Sequence, residues 1–566
     1  MRERADRPTE VLPYLVLIGL ALLVALLAWL TPLLAGLLHS GHLPHLRLGQ
    51  ALAALGDRDL RGGDPAAAYP RRVARSLPGA WGFWSAAALL LTTLAACAFA
   101  LVRAADVRMS RPTADRRWWQ LRGLRPHQFG RYRTVNDLIV PGPAPDRVIV
   151  GVIARPRALV AVSPMAQMAV IAAPRTGKSS GLVIPALLEH EGPVITTSVR
   201  ADIVEHTVDR RRRLGRVWVW DPFGRDSDAW DLLHGCEDWE HALLVARWLG
   251  RARKLGEMSN QDYFDEEAEG LVAPYLHAAA LTVDTTAAGV YSWILDRDDR
   301  TADAILSDVG AEDARERLAA VYSYTERQRD GIIGTAAVQL KAYGHPAAAR
   351  TARRSEGVMP ERLFDGPNTL YIVAGRDHQQ LLAPLVVTMV SSFMYWLSEQ
   401  ENRSGKGLSP PALLALDETA SIAPLQDLPQ MLATSLGSGA RFLTVWHSVA
   451  QIRRHFGADA AAEILALSQA KVFMGSITDE HTRGEVVELL GHRLRMGADT
   501  GYPVDVMTAQ ALQRTSAGEG LLVNADLPPV FFRQRRHYSD PALMRLKGTV
   551  RSGPPAAREA SRSAIG

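Results

Sequence analysis

Cysteine is scarce in this chain of 566 residues, which has only Cys97 and Cys236. Two cysteines exclude a disulfide framework and any zinc site built from cysteine ligands. Excess charge of one sign is also scarce, since the formal net charge is +4. Such a small excess does not establish nucleic-acid binding, which would need a local basic surface. The length is too great for one hydrophobic core and predicts about two to four domains.

Two long runs without charge lie in the N-terminal part of the chain, at residues 11–38 and 76–102. Each exceeds the roughly 20 residues that a helix needs to cross a bilayer. A cleaved signal peptide is the alternative for the first run, but its apolar region would be shorter and would end in a small-residue cleavage site. The two runs predict a two-helix transmembrane hairpin over residues 11–103, with residues 1–10 in the cytoplasm and an extracytoplasmic connector.

Arginines crowd the exit of the second run, within a basic juxtamembrane stem at residues 104–146. Basic flanks favour the cytoplasmic side of a membrane, although further arginines in the connector weaken the contrast. A phosphate-binding loop farther along the chain decides the orientation, because ATP is inside the cell. We therefore predict a multi-pass protein of the cell inner membrane with a cytoplasmic C-terminal body.

The loop that decides the orientation follows the apolar run Met168–Ile171 and precedes a helical pattern. A strand, a tight loop and a helix are the context in which Gly-Lys-Ser binds phosphate, since a helix N-terminus directs free N–H groups at the anion. Lys178 would add a charge on the β- and γ-phosphates, and the Ser179 hydroxyl would ligate Mg²⁺. The first glycine of the usual pattern is Ala172 here. The predicted nucleotide-binding residues are Ala172, Ala173, Pro174, Arg175, Thr176, Gly177, Lys178, Ser179 and Ser180.

Short apolar strands alternate with helical patterns on both sides of the loop, which predicts an α/β fold with a parallel sheet. Alanine-rich helical patterns without β-branched runs interrupt this alternation and predict an all-helical insertion. Arg210–Arg213 is interpreted as a solvated helix end. The predicted body has a first ATPase part at 147–235, the insertion domain at 236–355, a second ATPase part at 356–546 and a disordered tail at 547–566.

A second informative stretch is the apolar run Ala412–Leu416, which ends in Asp417 and Glu418. A buried parallel strand delivers its C-terminal residues to the ligand edge of the sheet, where the phosphate loop also lies. Asp417 would hold Mg²⁺ together with Ser179, and Glu418 would polarise the attacking water. Another apolar strand ends at His447, with Gln451 one helical turn later, and these side chains are predicted to sense the γ-phosphate. An alternative is that His447 only begins a helix.

In this order, the predicted spans, the loop and the helical insertion resemble the conjugative coupling proteins of type IV secretion (TraG/TraD type). The resemblance covers most of residues 110–545. The following segments carry it best: Leu414–Ala420, Ser448-x-x-Gln451, Lys471–Gly475, Thr478–Thr482, and Leu527-Pro528-Pro529 with Arg533.

The resemblance implies a RecA-like P-loop ATPase with bound ATP and Mg²⁺, working as a homo-hexameric ring at the inner membrane. Such a protein feeds relaxase-bound single-stranded DNA, or protein, into the channel of a type IV secretion system. Lys178, Asp417, Glu418, Gln451 and His447 are then the catalytic candidates.

Two positions depart from the family pattern. His447 stands where relatives usually carry glutamine, and the loop at 435–439 lacks the arginine that completes a neighbour's site in many relatives. Arg441 is the nearest substitute in sequence. Loss of such an arginine would cost about a thousandfold or more in turnover.

Two other functions compete with this one. An FtsK-like double-stranded DNA translocase is expected to have more spans, a long linker and a C-terminal winged-helix domain. A nucleotide-regulated substrate receptor would bind cargo without motor activity, and DNA-stimulated ATP turnover separates it from a motor.

Overall fold

The computed structural model describes residues 12–57, 59–60, 63–109, 135–153, 158–252, 259–354, 357–496, 501–505, 512–513, 515–525 and 527–548. The predicted cytoplasmic N-terminus, most of the basic stem and nearly all of the predicted tail lie outside these residues. The chain divides into two compact units, Met1–Leu121 and Arg122–Gly566.

Among its described residues the N-terminal unit has four α-helices: α1 (Leu12–Ser40), α2 (Leu48–Ala54), α3 (Arg71–Ala74) and α4 (Ala80–Met109). Helix α1 packs against α4 and α2. Between the helices lies a small apolar core that includes Ala35, Ala51, Tyr69 and Phe83. The segment that links the two long helices is therefore folded onto them.

The described residues do not establish the predicted two-span anchor. Within the residues whose side chains the structure describes, the apolar segments of the two long helices are Val24–Ser40 and Ala80–Ala96, each shorter than a span. Among the residues that the structure describes, one helix has the length and hydropathy of a span, Arg376–Ser404, and 67% of its apolar window is buried inside the protein. That burial identifies it as a core helix of the second unit.

The second unit is built on a mixed sheet. Its strands are β1 (Ile139–Val140), β2 (Ile149–Ile153), β3 (Ala158–Ala161), β4 (Met168–Ala172), β5 (Val194–Ser198), β6 (Val217–Trp220), β7 (Thr369–Val373), β8 (Ala412–Leu416), β9 (Ala440–Trp446), β10 (Ala470–Met474), β13 (Glu519–Asn524) and β14 (Val530–Arg533). Two further strands, β11 (His492–Met496) and β12 (Gly501–Asp505), pair with each other in a separate two-stranded sheet.

The sheet has the order β1-β3-β2-β14-β13-β10-β4-β9-β8-β5-β7-β6. The strands from β10 to β6 are parallel, and those from β13 to β1 pair antiparallel. Every residue of β4, β5, β7, β8 and β9 is buried, as expected for parallel strands covered on both faces. The predicted parallel strands are thus confirmed from β10 to β6, and antiparallel strands extend the sheet beyond β10.

Helices cover both faces of this sheet. They are α5 (Ile184–Glu189), α6 (Asp202–Leu214), α7 (Trp239–Gly250), α8 (Ser259–Ala280), α9 (Ala287–Asp296), α10 (Asp299–Asp308), α11 (Glu312–Ser323), α12 (Glu326–Gln339), α13 (Pro346–Ala349), α14 (Pro360–Phe364), α15 (Gln379–Ser404), α16 (Thr419–Ile422), α17 (Leu428–Thr434), α18 (Val449–Phe456), α19 (Ala458–Leu467), α20 (Glu480–Leu490) and α21 (Pro541–Lys547).

Two apolar clusters fill the spaces between the sheet and its helices. Ala169 and Ile171 of β4 belong to one cluster, while Met168 and Val170 belong to the other, because successive strand residues face opposite sides. The first cluster also contains the buried residues of helices α7 to α12, which lie between β6 and β7 in sequence. The helical segment therefore shares one apolar core with that face of the sheet.

One buried charge holds strand ends on the side of the sheet opposite to the phosphate loop. Arg211 of α6 is fully buried and donates from Nε to Thr369 Oγ1 at 2.7 Å, with further bonds to the carbonyls of His190 and Gly192. Burial lowers the pKa of Arg211 to about 10. Arg210–Arg213 is thus not simply a solvated helix end, since one of its four arginines ties the starts of β5 and β7 together.

Candidate functional site

The phosphate loop occupies the turn between β4 and the helix that follows. Thr176 Oγ1 donates to the carbonyl of Ala173 at 2.8 Å and closes the turn. Arg175 and Gly177 have φ values of 65° and 91°, in the left-handed region. Ala172, by contrast, is the last residue of β4 and pairs with Met474 in β10. The missing first glycine is tolerated because this position has ordinary strand geometry, in which a methyl group fits.

The helix after the loop begins with a wide turn. Ser179–Val183 forms a π turn that continues into α5. Pro185 has no N–H to donate to the carbonyl four residues earlier, which disfavours regular α geometry here. Gly181 N donates to the carbonyl of Gly177 at 2.7 Å and joins loop and helix. Backbone N–H groups at such a helix start attract anions.

The acidic pair follows β8 directly. Asp417 is buried, and its carbonyl accepts a hydrogen bond from Thr197 Oγ1 of β5 at 2.7 Å. Glu418 has φ 56° and ψ 45°, a left-handed conformation that costs a non-glycine residue roughly 1–2 kcal/mol. Thr419 Oγ1 donates to the carbonyl of Leu416 at 2.7 Å and fixes this sharp exit from the strand. Strain of this kind concentrates at functional sites.

Three charged or polar side chains from three strand ends meet at one point. Lys178 Nζ lies 3.3 Å from Glu418 Oε1 and 2.7 Å from His447 Nδ1. His447 Nε2 lies 2.8 Å from Glu418 Oε2. An ammonium group can only donate, so Nδ1 accepts from the lysine and Nε2 donates to the carboxylate. His447 is therefore a neutral imidazole that bridges Lys178 and Glu418.

The electrostatics of this cluster keep Glu418 ionised. Burial alone would raise the pKa of Glu418, but the hydrogen bond from His447 and the charge of Lys178 outweigh burial, so the pKa is lowered. Glu418 is thus a carboxylate at neutral pH and is able to accept a proton.

Asp417 and Ser179 have the chemistry of a Mg²⁺ site. Ser179 Oγ donates to Asp417 Oδ2 at 2.9 Å. The other carboxylate oxygen, Oδ1, is buried and has no hydrogen-bond partner among the described residues. Burial raises the pKa of Asp417 to about 6, although the hydrogen bond from Ser179 and the charge of Lys178 oppose this rise. A hydroxyl and a carboxylate with an unused oxygen fit a hard divalent cation, which would offset the cost of burying the charge.

Gln451 reaches the same cluster through the backbone. Its Oε1 accepts a hydrogen bond from the N–H of His447 at 2.8 Å. Ser448 caps α18 by accepting from the N–H of Gln451 at 3.1 Å. The predicted residues Lys178, Ser179, Asp417, Glu418 and His447 therefore lie together, and Gln451 holds the strand end that carries His447.

A C-terminal segment that sequence reasoning missed also contacts the loop. Gln534 Nε2 donates to the carbonyl of Thr176 at 3.1 Å, and His537 N donates to the carbonyl of Ser180 at 3.1 Å. Gly475 lies against the side chain of Thr176, since a Cβ at Gly475 would be 2.4 Å from its Cγ2. The segment follows β14 and has no periodic pattern, so its motif-free sequence gave no signal.

Arg441 does not replace the arginine that is missing from the loop at 435–439. It is buried at the start of β9, with Nη2 donating to the carbonyl of Pro145 at 2.7 Å. Leu443, two residues later, already pairs with Met168, the first residue of β4. Arg441 therefore lies at the opposite end of the sheet from the phosphate loop, and the suggestion from its position in sequence is wrong.

Comparison with known proteins relates this chain to proteins of conjugative transfer. The chain is 22% identical over 416 residues to protein VirD4 of Rhizobium radiobacter, covering 67% of this chain and 58% of that relative. It is 24% identical over 315 residues to the conjugal transfer protein TraG of Escherichia coli, covering 49% of this chain and 47% of the relative. The chain thus spans about half the length of these relatives.

Solved structures show the same fold. The unbound monoclinic form of the bacterial conjugative coupling protein TrwB gives a TM-score of 0.57 at 15% identity, covering 72% of this chain and 93% of that one. The structure of TrwB in complex with ADP and Mg²⁺ gives a TM-score of 0.54 at 15% identity, covering 65% of this chain and 85% of the TrwB chain. The family model for type IV secretory system conjugative DNA transfer matches residues 151–495. The chain belongs to this conjugative DNA transfer family.

Proposed function

We propose that this chain is an ATP-hydrolysing coupling protein that works as a homo-hexameric ring. It would drive relaxase-bound single-stranded DNA, or protein, into a type IV secretion channel. One observation carries the proposal: Lys178 and Glu418, which are 240 positions apart, lie 3.3 Å from each other where β4 and β8 end. Phosphate binding and proton acceptance are thereby brought to one edge of the sheet.

The residues divide the work of nucleotide binding. The loop amides and Lys178 would hold the phosphates, and Ser179 with Asp417 would hold Mg²⁺. The cation supplies charge neutralisation on the phosphates when it is bound. The ADP and Mg²⁺ in the TrwB structure, a related fold, support this assignment.

Hydrolysis would depend on Glu418 and on the imidazole that positions it. Glu418 would accept a proton from the attacking water, because it is ionised at neutral pH. His447 would hold one carboxylate oxygen by its Nε2–H. Lys178 would leave both partners when phosphate enters, since phosphate offers it a stronger charge pair.

Membrane anchoring is part of the proposal. The long helices α1 and α4 would hold the ATPase body at the inner membrane, as the uncharged runs of the sequence predict. Trp81 and Trp84, 93% and 50% exposed at the start of α4, suit a membrane–water interface. The full chain should stay with bilayers after an alkaline carbonate wash, and its release by the wash would refute the anchor.

ATP turnover by the full chain in nanodiscs, with and without single-stranded DNA, tests the motor. We expect DNA-stimulated turnover, lost in Lys178→Ala through weak nucleotide binding. Glu418→Gln should also lose it while still binding ATP. Greater stimulation by double-stranded DNA would favour the FtsK-like alternative. Nucleotide-dependent cargo binding without turnover in the assembled wild type would favour the receptor and refute the motor.

A further inference from the structure

The segment Gln534–Tyr538 is built onto the phosphate loop on the side away from the acidic pair. A Cβ at Gly177 or Gly181 would lie 2.7 Å or 2.6 Å from Gln534 Oε1, so both glycines leave room for this side chain. Together with the bonds from Gln534 to Thr176 and from His537 to Ser180, this packing fixes the segment to loop and helix.

Two successive arginines in this segment have different surroundings. Arg535 is buried and paired with Glu189 at 2.7 Å and with Asp540 at 3.0 Å. Arg536 is half-buried, and within the described residues it forms no ion pair. Its Nη1 donates to Tyr538 Oη at 2.6 Å, and its guanidinium carbon lies 5.9 Å from the centre of the tyrosine ring. Arg535 thus anchors the segment, while Arg536 keeps its charge free.

Arg536 is also close to the loop itself. A Cβ at Gly177 would lie 3.7 Å from its Nη2, and a Cβ at Gly518 would lie 3.5 Å from the same atom. Tyr538 is 52% exposed beside it. The two side chains therefore offer a guanidinium plane and an aromatic ring to a molecule held in the loop.

The strand order indicates which end of a nucleotide these side chains would meet. The acidic pair and His447 follow β8 and β9, on one side of β4. The terminal phosphate must lie toward that side, because Glu418 acts there. The segment 534–538 follows β14, which lies on the other side of β4 beyond β10 and β13. The nucleoside end of the same nucleotide is therefore directed toward Arg536 and Tyr538.

We propose that Arg536 and Tyr538 form a subsite for the ribose and base of the bound nucleotide. This inference rests on the proposed function of the phosphate loop. Guanidinium planes and aromatic rings stack on bases and tolerate different base edges. Gln534 is a positioning residue, since it ties the segment to the loop through Thr176.

Equilibrium binding to the full chain in detergent tests this subsite, with radiolabelled ADP as the probe and inorganic tripolyphosphate as a competitor without a nucleoside. Arg536→Ala and Tyr538→Ala should each weaken ADP binding about tenfold, the usual effect of losing one stacking partner. Neither variant should change the affinity for tripolyphosphate. Tyr538→Phe keeps the ring and should bind ADP within about twofold of the wild type.

Matched controls come from the same part of the chain. Arg545 and Met544 are exposed on α21, and Arg545→Ala and Met544→Ala should leave ADP affinity unchanged. Unaltered thermal midpoints would show that the variants fold. Lys178→Ala separates the two proposals, because it should weaken both ADP and tripolyphosphate. If Lys178→Ala weakens the binding of ADP and tripolyphosphate while Arg536→Ala and Tyr538→Ala change neither affinity, the subsite is refuted and the phosphate site stands. If Lys178→Ala changes neither, the phosphate site itself is refuted.

Discussion

His447→Ala should change nucleotide binding and turnover in opposite directions. In the structure the imidazole accepts from Lys178 at 2.7 Å and donates to Glu418 at 2.8 Å. Hydrogen bonds to charged groups contribute about 1.5–3 kcal/mol. The His447 side chain is 34% exposed, so solvent screening reduces each bond to roughly 1 kcal/mol.

The binding effect follows from the lysine. Without His447, Lys178 no longer has to break its hydrogen bond to the imidazole when phosphate enters. Because that bond contributes roughly 1 kcal/mol, ADP affinity should increase about fivefold. Turnover should fall at least about tenfold, because Glu418 is then oriented by Lys178 alone and misplaced acceptors are poor bases.

Calorimetric titration with ADP and a steady-state turnover assay on the same preparation measure both effects. His447→Gln is the matched control, since an amide can accept from Lys178 and donate to Glu418, and glutamine is the residue expected from the family resemblance. It should stay within about threefold of the wild type in both assays. Weaker ADP binding by His447→Ala, or undiminished turnover, would show that the imidazole does not bridge the two groups as argued.

Three further predictions concern the loop and the buried basic groups. Gly475→Ala should weaken ADP binding and destabilise the fold by about 1–3 kcal/mol, because the new Cβ would lie 2.4 Å from Thr176 Cγ2 at a φ of 73°. Gly484→Ala is the control, since open space surrounds Gly484, and it should change neither ADP binding nor stability. Arg211→Met should lower the free energy of unfolding, measured by urea titration, by about 3 kcal/mol, because it removes the donors that bond to buried carbonyls. A loss of stability as small as that of Arg210→Met would contradict this role. Burial and the charges of Arg441 and Arg211 lower the pKa of His190 from 6.5 to about 3, so the unfolded chain takes up a proton that the folded chain refuses. Stability should therefore be full above pH 6.5 and fall by about 2 kcal/mol by pH 5, and His190→Phe should flatten this part of the pH profile of the thermal midpoint.

The parallel strands were predictable because they are buried on both faces. A strand such as β8 has no polar residue between Ala412 and Leu416, so its pattern is a continuous apolar run with clear ends. Once two such strands are recognised, the edge at which Lys178 and Asp417 meet follows from the parallel topology. The pairing of the loop with the acidic pair was predictable for this reason.

The side-chain geometry at this edge was not predictable from the pattern. Which nitrogen of His447 faces Lys178 depends on the ring orientation, which the bond from Gln451 to the His447 backbone helps to set. Arg211 was hidden for another reason. Four consecutive helical arginines cover a full turn, so one of them faces inward. The carbonyls that receive it belong to segments distant in sequence, such as Pro367.

Arg441 lies far from the phosphate loop, although it is close in sequence to the loop at 435–439 that lacks the expected arginine. Trp446, at the end of β9, is five positions after Arg441, a distance of about 17 Å along an extended chain. A guanidinium bonded to Pro145 at that distance does not reach the phosphate loop of its own chain, and because it is buried it has no exposed surface to offer a neighbour. In the proposed function, phosphate binding, cation binding and proton acceptance would therefore be supplied within one chain by Lys178, Asp417 and Glu418. Any arginine that completes the site across a ring interface must come from elsewhere, so nucleotide binding is expected to precede and not require assembly, whereas rapid turnover is expected to depend on it.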